Sequence, residues 1–167
     1  MDEAERKIAL RMIPYGLYVL TAEARGEAPA AATVNWVTQT SFNPPLIAVG
    51  VKVDSGAYAQ ARHAGHFVLN VLGKGQQGAA FTFFKPAELE GGKLSGEEIV
   101  WAQNGAPILK SAPAALECQI REVVELGDHH TFVAEVTNVH LHQTPEGRPD
   151  AAVLEMKDLG EKVFYGG

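Results

Sequence analysis

Apolar and β-branched residues in this chain come in short runs or alternate with polar residues, and both patterns are typical of β-strands. The runs predict four strands, at residues 17–21, 46–53, 67–72 and 131–142. Leu116, Cys118 and Ile120 alternate with polar neighbours, which predicts a further, half-buried strand. Gly and Pro are frequent between these segments, so we expect turns to join the strands.

One strand-like stretch, residues 31–41, is too polar for an ordinary core strand. Its hydrogen-bonding side chains, which fall on both faces, are Thr33, Asn35, Thr38, Gln39, Thr40 and Ser41. A strand of this kind either faces water or surrounds something polar. Pro44 and Pro45 follow it. Because proline has a fixed φ and no N–H, this pair predicts a rigid break before the next strand.

Helices are predicted at three places, residues 4–12, 56–64 and 76–84. Pro14 ends the first, and Asp54 or Ser55 offers an oxygen that caps the second. Residues 85–113 are interrupted by glycine and proline and are predicted to form a long loop, either a flap or an arm that faces a partner. With many short strands and few helices, residues 1–167 are expected to form a single, mainly β domain shaped as a barrel.

Composition and charge narrow the classes of function. The net charge of −6 argues against a nucleic-acid partner, although a local nest of donors can still hold a phosphate. Cys118 is the only cysteine, which excludes an internal disulfide and a cysteine-based zinc site. No apolar run reaches the roughly 20 residues of a membrane span, and residues 1–11 do not form a signal peptide. We therefore expect a cytoplasmic protein without a membrane partner.

Residues 73–78 match the dinucleotide-binding pattern G-x-G-x-x-G and lie between a predicted strand and a predicted helix. That fold also requires a parallel strand after the helix, whereas residues 85–96 are polar and broken by glycine. Short turns elsewhere in the chain favour antiparallel pairing. We therefore interpret the motif as an ordinary turn between a strand and a helix.

The histidines allow more than one interpretation. His129 lies in a Gly-Asp-His turn between two strands, where it is either a surface residue or a ring at the mouth of a barrel. His140 and His142 are two residues apart, hence on one face of a strand, but no third ligand has a recognised spacing to them. We expect this pair to face solvent and predict no metal site.

Lys52 and Ser55 stand at the end of a strand and the start of a helix. Backbone N–H groups and the helix macrodipole favour an anion at such a place. The alternative for Lys52 is a charged side chain that reaches solvent from the strand end. The polar residues 33–39 belong to the preceding strand and should lie nearby, which favours the anion.

These features together resemble the flavin reductase-like, FMN-binding split-barrel family. The resemblance rests on the polar strand before Pro44-Pro45, the segment 67–71, the Gly-Asp-His turn at 127–129 and the aromatic tail at 164–165. It covers nearly the whole chain and implies an antiparallel six-stranded Greek-key split barrel, with a few short helices, that forms homodimers. The chain departs from the family pattern at Asn35-Trp36, where relatives carry serines, and at 55–57, where one hydroxyl of a Ser-x-Thr motif is missing.

The resemblance also implies a binding site for FMN. The implied cofactor-binding residues are Thr33, Asn35, Trp36, Val37, Thr38, Gln39, Lys52, Ser55 and Tyr58. The last three would serve the ribityl phosphate and the others the edge of the isoalloxazine ring. His129 would be the catalytic residue that positions the nicotinamide of NADH or NADPH. Trp36 is large for a strand that approaches a flat ring, so a Trp36 side chain in the flavin plane would contradict the cofactor assignment.

Three functions are compatible with these residues. The first is an NAD(P)H:flavin oxidoreductase, in which nicotinamide passes a hydride to flavin N5. The second is an FMN-containing electron carrier of the flavoredoxin type, which exchanges electrons with a redox partner protein through residues 85–113. The third is a binding module that holds another ligand, such as haem. The sequence shows neither a preference for NADH or NADPH nor the final electron acceptor.

Overall fold

The computed structural model describes all residues from 1 to 167. The helices are α1 (Glu3–Arg11), α2 (Gly56–Ala64) and α3 (Gln77–Thr82), with two 3-10 turns at Pro149–Ala152 and Met156–Leu159. The strands are β1 (Tyr18–Ala22), β2 (Ala30–Val34), β3 (Val37–Ser41), β4 (Leu46–Lys52), β5 (His66–Val71), β6 (Leu89–Glu90), β7 (Lys93–Leu94), β8 (Glu97–Trp101), β9 (Pro107–Leu109), β10 (Ala114–Val124) and β11 (His129–Leu141). None of the three helices has the length and apolar content that a membrane span requires.

Seven strands form one antiparallel sheet in the order β2-β1-β5-β10-β11-β4-β3. Its edge strands, β2 and β3, are separated in the chain only by Asn35 and Trp36. The polar stretch predicted as one strand is therefore two, because the backbone bends at these residues and its halves pair with β1 and β4. The mainly β, antiparallel prediction is confirmed, whereas the main sheet has seven strands and not six.

The largest core lies on one face of β4 and β11 and under α2. Ile47, Val49 and Val51 of β4 are buried in it, together with Phe132 of β11. Because side chains alternate along a strand, Ala48 and Gly50 point to the opposite face. Helix α2 begins and ends as predicted, since the Ser55 Oγ accepts a hydrogen bond from the Tyr58 N–H at 3.1 Å and Gly65 ends it with φ of 79°.

The prediction of a long loop over residues 85–113 is wrong. Strands β6 to β9 form a second antiparallel sheet in this segment. Gly91, Gly92 and Gly96 have positive φ angles, and they sit in the tight turns that connect the short strands. These strands are two to five residues long, so the pattern of apolar residues is too short to reveal them.

A buried asparagine fastens this second sheet to the first. Asn70, in the predicted strand at 67–72, donates to the Val19 carbonyl and to the Thr21 hydroxyl at 3.0 and 3.2 Å. Its Oδ1 accepts from the Leu109 N–H at 2.9 Å, and the Thr21 hydroxyl donates to the Pro107 carbonyl. Strand β9 is therefore held by side chains of β1 and β5, which compensates for its short length.

The glycine motif at 73–78 is a turn, as predicted. Strand β5, which precedes it, has antiparallel neighbours on both sides, so the parallel arrangement of a dinucleotide-binding fold is absent. Within the turn, the Gln76 Oε1 accepts a hydrogen bond from the Gly73 N–H at 2.7 Å. This contact closes the turn with the side chain that precedes α3.

Candidate functional site

A cavity of about 960 Å³ opens on the face of β4 and β11 that points away from the largest core. Its lining residues come from the segment around α1, from β3, β4, the β10–β11 turn and the C-terminal tail: Leu10, Ile13, Pro14, Tyr15, Trp36, Val37, Thr38, Ala48, Gly50, Leu126, Gly127, Asp128, His129, Thr131, Tyr165, Gly166 and Gly167. The volume lies at the upper end of the range usual for small-molecule sites, about 300–1,000 Å³. The cavity is therefore large enough for an aromatic ligand.

Small residues make part of the wall of this cavity. Ala48 and Gly50 are the β4 residues that point to this face. A Cβ atom added at Gly50 would lie 3.3 Å from both Cβ and Cε3 of Trp36. Glycine at this position therefore allows the indole to pack directly against the backbone of β4.

Three rings meet in the cavity. The Trp36 and His129 ring centroids are 4.5 Å apart, and Tyr165 lies 5.5 Å from Trp36 and 5.8 Å from His129. The indole N–H of Trp36 is buried and has no hydrogen-bond acceptor. His66 Nδ1 is the other buried side-chain atom without a partner, but it does not line the cavity. Because buried donors are normally paired, the unmatched Trp36 N–H calls for an explanation.

His129 is hydrogen-bonded through both ring nitrogens. Its Nδ1 lies 2.8 Å from Oδ1 of Asp128, and its Nε2 lies 2.7 Å from the Tyr165 hydroxyl. The hydrogen bond with His129 lowers the pKa of the Asp128 carboxyl. Burial raises the pKa of Tyr165, so its hydroxyl keeps its proton at neutral pH. The imidazole is thus fixed between a carboxylate and a phenol.

The C-terminal tail, residues 163–167, covers one side of the cavity. Asn35 donates to the Tyr165 carbonyl at 2.9 Å, and Arg11 of α1 donates to the Gly166 carbonyl at 3.0 Å. The Arg11 guanidinium also lies 4.3 Å from the centroid of the Phe164 ring. Tyr165 was missed as a site residue from the sequence. The aromatic-glycine tail was noted there only as part of the family resemblance.

Four of the predicted site residues line the cavity: Trp36, Val37, Thr38 and His129. Strand β3 is an edge of the sheet, so one row of its backbone N–H and C=O groups has no strand partner. Three other predicted residues lie elsewhere. The Thr33 hydroxyl donates to the Ala80 carbonyl within α3, Asn35 is buried against the tail, and the Gln39 amide donates to the Ser41 carbonyl.

The residues predicted to serve a phosphate, Lys52, Ser55 and Tyr58, do not line the cavity. Lys52 lies opposite His129 in the pairing of β4 with β11, so its strand position adjoins the site. Its Nζ is 3.4 Å from the Asp54 carboxylate. Ser55 caps α2 and donates to the Lys52 carbonyl at 2.8 Å, and the Tyr58 hydroxyl is 2.6 Å from His130 Nδ1. Their role toward a phosphate stays a prediction.

Of the two histidines predicted to face solvent, His142 is exposed, whereas His140 is partly buried, with 30% of its side chain exposed. Its Nε2 is 2.7 Å from a carboxylate oxygen of Glu117, a residue that is 2% exposed. Burial alone would raise the pKa of Glu117, but hydrogen bonds from His140, the Asn138 amide and the Asn104 N–H outweigh it and hold the pKa below its usual value. The His142 Nδ1 is 2.8 Å from the Ala112 carbonyl. This cluster therefore has a structural role, and no group of metal-ligating side chains is formed.

The family model for the flavin reductase like domain matches residues 10–157. The chain belongs to the flavin reductase-like family. Residues 10–157 include the whole main sheet and most of the cavity, so the match concerns the site as well as the fold. Tyr165, Gly166 and Gly167 of the cavity wall lie beyond the matched region.

Three proteins are similar to this chain in sequence or in structure over most of its length. It is 34% identical over 137 residues to diflavin flavoprotein A 1 of Synechocystis sp., covering 81% of this chain and 24% of that one. It is 33% identical over 149 residues to the reductase component of the 4-nitrophenol 4-monooxygenase/4-nitrocatechol 2-monooxygenase of Rhodococcus opacus, covering 89% and 76%. The NADH:FAD oxidoreductase SgcE6 of Streptomyces globisporus superposes with a TM-score of 0.69 at 30% identity, covering 83% and 81%. This chain thus spans less than a quarter of the diflavin flavoprotein.

The cavity of this flavin reductase-like domain has features that suit a flavin. An isoalloxazine ring is planar and carries carbonyl and nitrogen acceptors along its edge. The cavity offers aromatic rings, a wall without bulk at Ala48 and Gly50 and unpaired backbone groups on β3, and the buried N–H of Trp36, a residue that lines it, has no acceptor. The donors present therefore fit the acceptors of a flavin.

Proposed function

We propose that this protein is an NAD(P)H:flavin oxidoreductase that binds FMN in the part of the cavity that the Trp36 and His129 rings leave open. The observation that carries the proposal is the buried Trp36 N–H without an acceptor, on a side chain that lines the same cavity as His129 and Tyr165. The family match adds support, since it covers the strands that carry Trp36 and His129. The names of two relatives, a monooxygenase reductase component and an NADH:FAD oxidoreductase, point to the same class of reaction.

The residues that would hold the flavin are those of the cavity wall. The backbone of Val37 and Thr38 supplies donors and acceptors for the ring edge, and Trp36 supplies one indole donor. Lys52, opposite His129 in the sheet, and Ser55 at the start of α2 would take the phosphate. The chemistry supplied by a bound flavin is acceptance of a hydride at N5 from the nicotinamide, which leaves as oxidised nucleotide.

His129 would orient the nicotinamide beside the flavin. Its ring is packed 4.5 Å from Trp36 and is held at both nitrogens, so it presents a fixed surface to a second ring. Holding two reactants at attack distance contributes several kcal/mol to a reaction, roughly 7 at the low end of intramolecular estimates.

We also propose that the protein forms a homodimer. Helix α1 has no buried residue, although it carries Ile8 and Leu10, and Met12 after it is 78% exposed. Leu126, at the cavity, is 76% exposed. A second copy would cover this apolar surface, because large exposed patches usually mark interfaces. Light scattering should give twice the chain mass, and Ile8→Glu with Met12→Glu should give the single-chain mass.

We also propose that the main sheet forms the six-stranded Greek-key split barrel that the family resemblance implies. The support is that β2 and β3, at opposite edges of the sheet, are joined by only two residues. Since consecutive residues must be close in space, the two edges of the sheet approach each other at Asn35 and Trp36. If β2 and β3 are counted as one bent strand, the barrel has six strands.

The test of the enzyme function is oxidation of NADH and of NADPH by the purified protein, with FMN or FAD added. We expect catalysed oxidation of at least one nucleotide in the presence of FMN. His129→Ala should reduce kcat/KM for the nucleotide about 10- to 100-fold, because the nicotinamide loses its orienting surface. A flavin-loaded protein that oxidises neither nucleotide would contradict the proposal.

A second candidate is an FMN-containing electron carrier that works with a redox partner protein. The observation that favours it is the match to 24% of a protein named as a diflavin flavoprotein, within which the matching region is one part. This function predicts that FMN stays bound through gel filtration and is reduced by a redox protein but not by NADH or NADPH.

A cytoplasmic location remains a prediction, consistent with the single buried cysteine.

A further inference from the structure

The geometry points to Tyr165 as a positioning residue that, together with Asp128, fixes the tautomer and the orientation of His129. Its hydroxyl lies 2.7 Å from Nε2 of His129, at the opposite end of the ring from Asp128. The consequence for catalysis rests on the proposed flavin reductase function. The tautomer itself does not, because it follows from contacts within the chain.

The two partners of His129 determine where its proton lies. An ionised carboxylate only accepts hydrogen bonds, so Asp128 requires a proton on Nδ1 of the imidazole. The Nε2 atom is then an acceptor, and the Tyr165 hydroxyl donates to it. Burial, which raises the pKa of this phenol, keeps that proton on Tyr165. The resulting chain runs from the Asp128 carboxylate through Nδ1–H and Nε2 of His129 to the hydroxyl of Tyr165.

Independent contacts hold the tail that carries Tyr165. The Asn35 amide donates to its carbonyl at the bend between β2 and β3, and the Arg11 guanidinium donates to the next carbonyl from α1. Because these contacts come from elements other than the β10–β11 turn, Tyr165 is a fixed reference for the His129 ring. The ring is pressed between this hydroxyl and the Trp36 indole, whose centroid is 4.5 Å away.

This arrangement assigns His129 a role in orientation rather than proton transfer. Both of its nitrogens are engaged, so neither is free to give a proton to a ligand in the cavity or to take one from it. The charged or titratable groups that face the ring and its tyrosine are Asp128 on the same turn, Lys52 across the β4–β11 ladder, Asp54 after β4 and Tyr165 itself. The nearest of them are Asp128, which requires the proton on Nδ1, and Tyr165, whose hydroxyl then donates to Nε2.

The test is nitrogen-detected NMR of the full chain labelled with 15N-histidine, which distinguishes the two neutral tautomers and the doubly protonated ring. His129→Gln identifies the His129 signals. We expect the Nδ1–H tautomer in the unmodified protein and a shift of the His129 Nε2 signal in Tyr165→Phe, where that nitrogen loses the hydrogen bond from the phenol. Tyr15→Phe is the matched control, since it removes another cavity hydroxyl, one that donates to Leu10 at 3.2 Å, and should leave the His129 signals unchanged.

The NMR outcomes are decisive without any ligand. An Nε2–H tautomer or a doubly protonated ring at neutral pH in the unmodified protein would overturn the inference, as would unchanged His129 signals in Tyr165→Phe. The His140 signals serve as the folding control, because that ring bonds Glu117 far along β11 and does not contact the tail. Unaltered His140 signals in Tyr165→Phe show that the variant is folded.

Kinetics then separate this inference from the proposed function. Tyr165→Phe should lower kcat for NADH oxidation about three- to tenfold, the size of one lost hydrogen bond, with less than about a twofold change in KM for the flavin. A purely structural tyrosine would instead change stability while kcat of the folded protein stayed constant. If the unmodified protein oxidises no nicotinamide, the proposed function fails, while the NMR result still decides the role of Tyr165.

Discussion

Two clusters of hydrogen-bonding side chains in this protein differ in whether every buried polar atom has a partner. Around Asn70, the amide donates to the Val19 carbonyl and to Thr21 and accepts from Leu109, so both of its polar atoms are paired. Around Trp36, the indole N–H has no acceptor, although it packs against the well-bonded ring of His129. The first cluster joins two sheets, and the second opens on a cavity.

The pairing of buried polar atoms distinguishes a structural cluster from a binding site. Removing a partner from a fully paired buried cluster exposes a polar group to an apolar environment, and the cost falls on folding. An unpaired buried donor beside a cavity destabilises the free protein, and a ligand that accepts a hydrogen bond from this donor removes the destabilisation. Mutations at Asn70 should therefore change stability, and mutations around Trp36 should change binding.

The largest expected effect is that of Asn70→Ala. The change leaves the Val19 carbonyl, the Thr21 hydroxyl and the Leu109 N–H without their common partner. We expect the free energy of unfolding to fall by about 3 kcal/mol, since each buried group left unpaired costs roughly 1–3 kcal/mol. Urea unfolding measures this loss, and the Kd for FMN of the folded fraction should stay within about twofold of the unmodified protein.

Asn35→Ala is the matched control, because it removes the same amide from the cluster beside the cavity. Its only side-chain hydrogen bond in the structure goes to the Tyr165 carbonyl. We expect a loss of about 1 kcal/mol in stability and a weaker Kd for FMN, because the tail loosens. A reversal of the two patterns, with binding lost at Asn70 and stability lost at Asn35, would contradict the distinction between the clusters.

A somewhat smaller effect is expected for Glu117→Gln, which tests a second paired cluster. The pKa of Glu117 is lower in the folded protein than its usual value. Its stabilisation is therefore fully present above the usual carboxyl pKa and is lost as the pH falls through the lowered value. At pH 7 the variant should be less stable by about 2 kcal/mol. Between about pH 5 and pH 3 it should lose less stability than the unmodified protein. Equal acid slopes in urea titrations of the two proteins would refute this assignment.

Gly50→Ala tests the cavity side of the comparison with a change of one methyl group. The new Cβ would lie 3.3 Å from two carbons of Trp36, so the indole must shift. We expect a stability loss of about 1 kcal/mol and a Kd for FMN about tenfold weaker. Gly78→Ala in α3 is the control, because a Cβ there meets no atom within 4 Å. It should stabilise the protein by about 0.5–1 kcal/mol and leave FMN binding intact.

The smallest effect is predicted at Cys118, in the core on the other face of the sheet. Burial, with a further contribution from the charge of Glu117, raises the pKa of its thiol to about 12. The folded protein should therefore resist thiol reagents at pH 8, whereas the protein in urea should react completely. Rapid labelling of the folded protein would show that this core opens.

The sequence predicted the long elements well and the site only in part. The runs at 46–53 and 67–72 and the Ser55 cap lie where the patterns place them, because hydrophobic period and capping are local properties. The bend at Asn35 and Trp36 and the four short strands at 89–109 depend on contacts between distant residues, such as Asn70 with Leu109. The same reason hid Tyr165, which reaches His129 across 36 positions of the chain.

Binding of a flavin against Trp36 should change the indole N–H signals in a 1H–15N spectrum. The chain has two tryptophans, and Trp101→Phe assigns the signal of Trp36. On titration with FMN we expect the Trp36 signal to shift and saturate at one flavin per chain, while the Trp101 signal of the unmodified protein stays in place. If the absorbance of FMN shows that it binds but the Trp36 signal does not move, the flavin does not bind against Trp36.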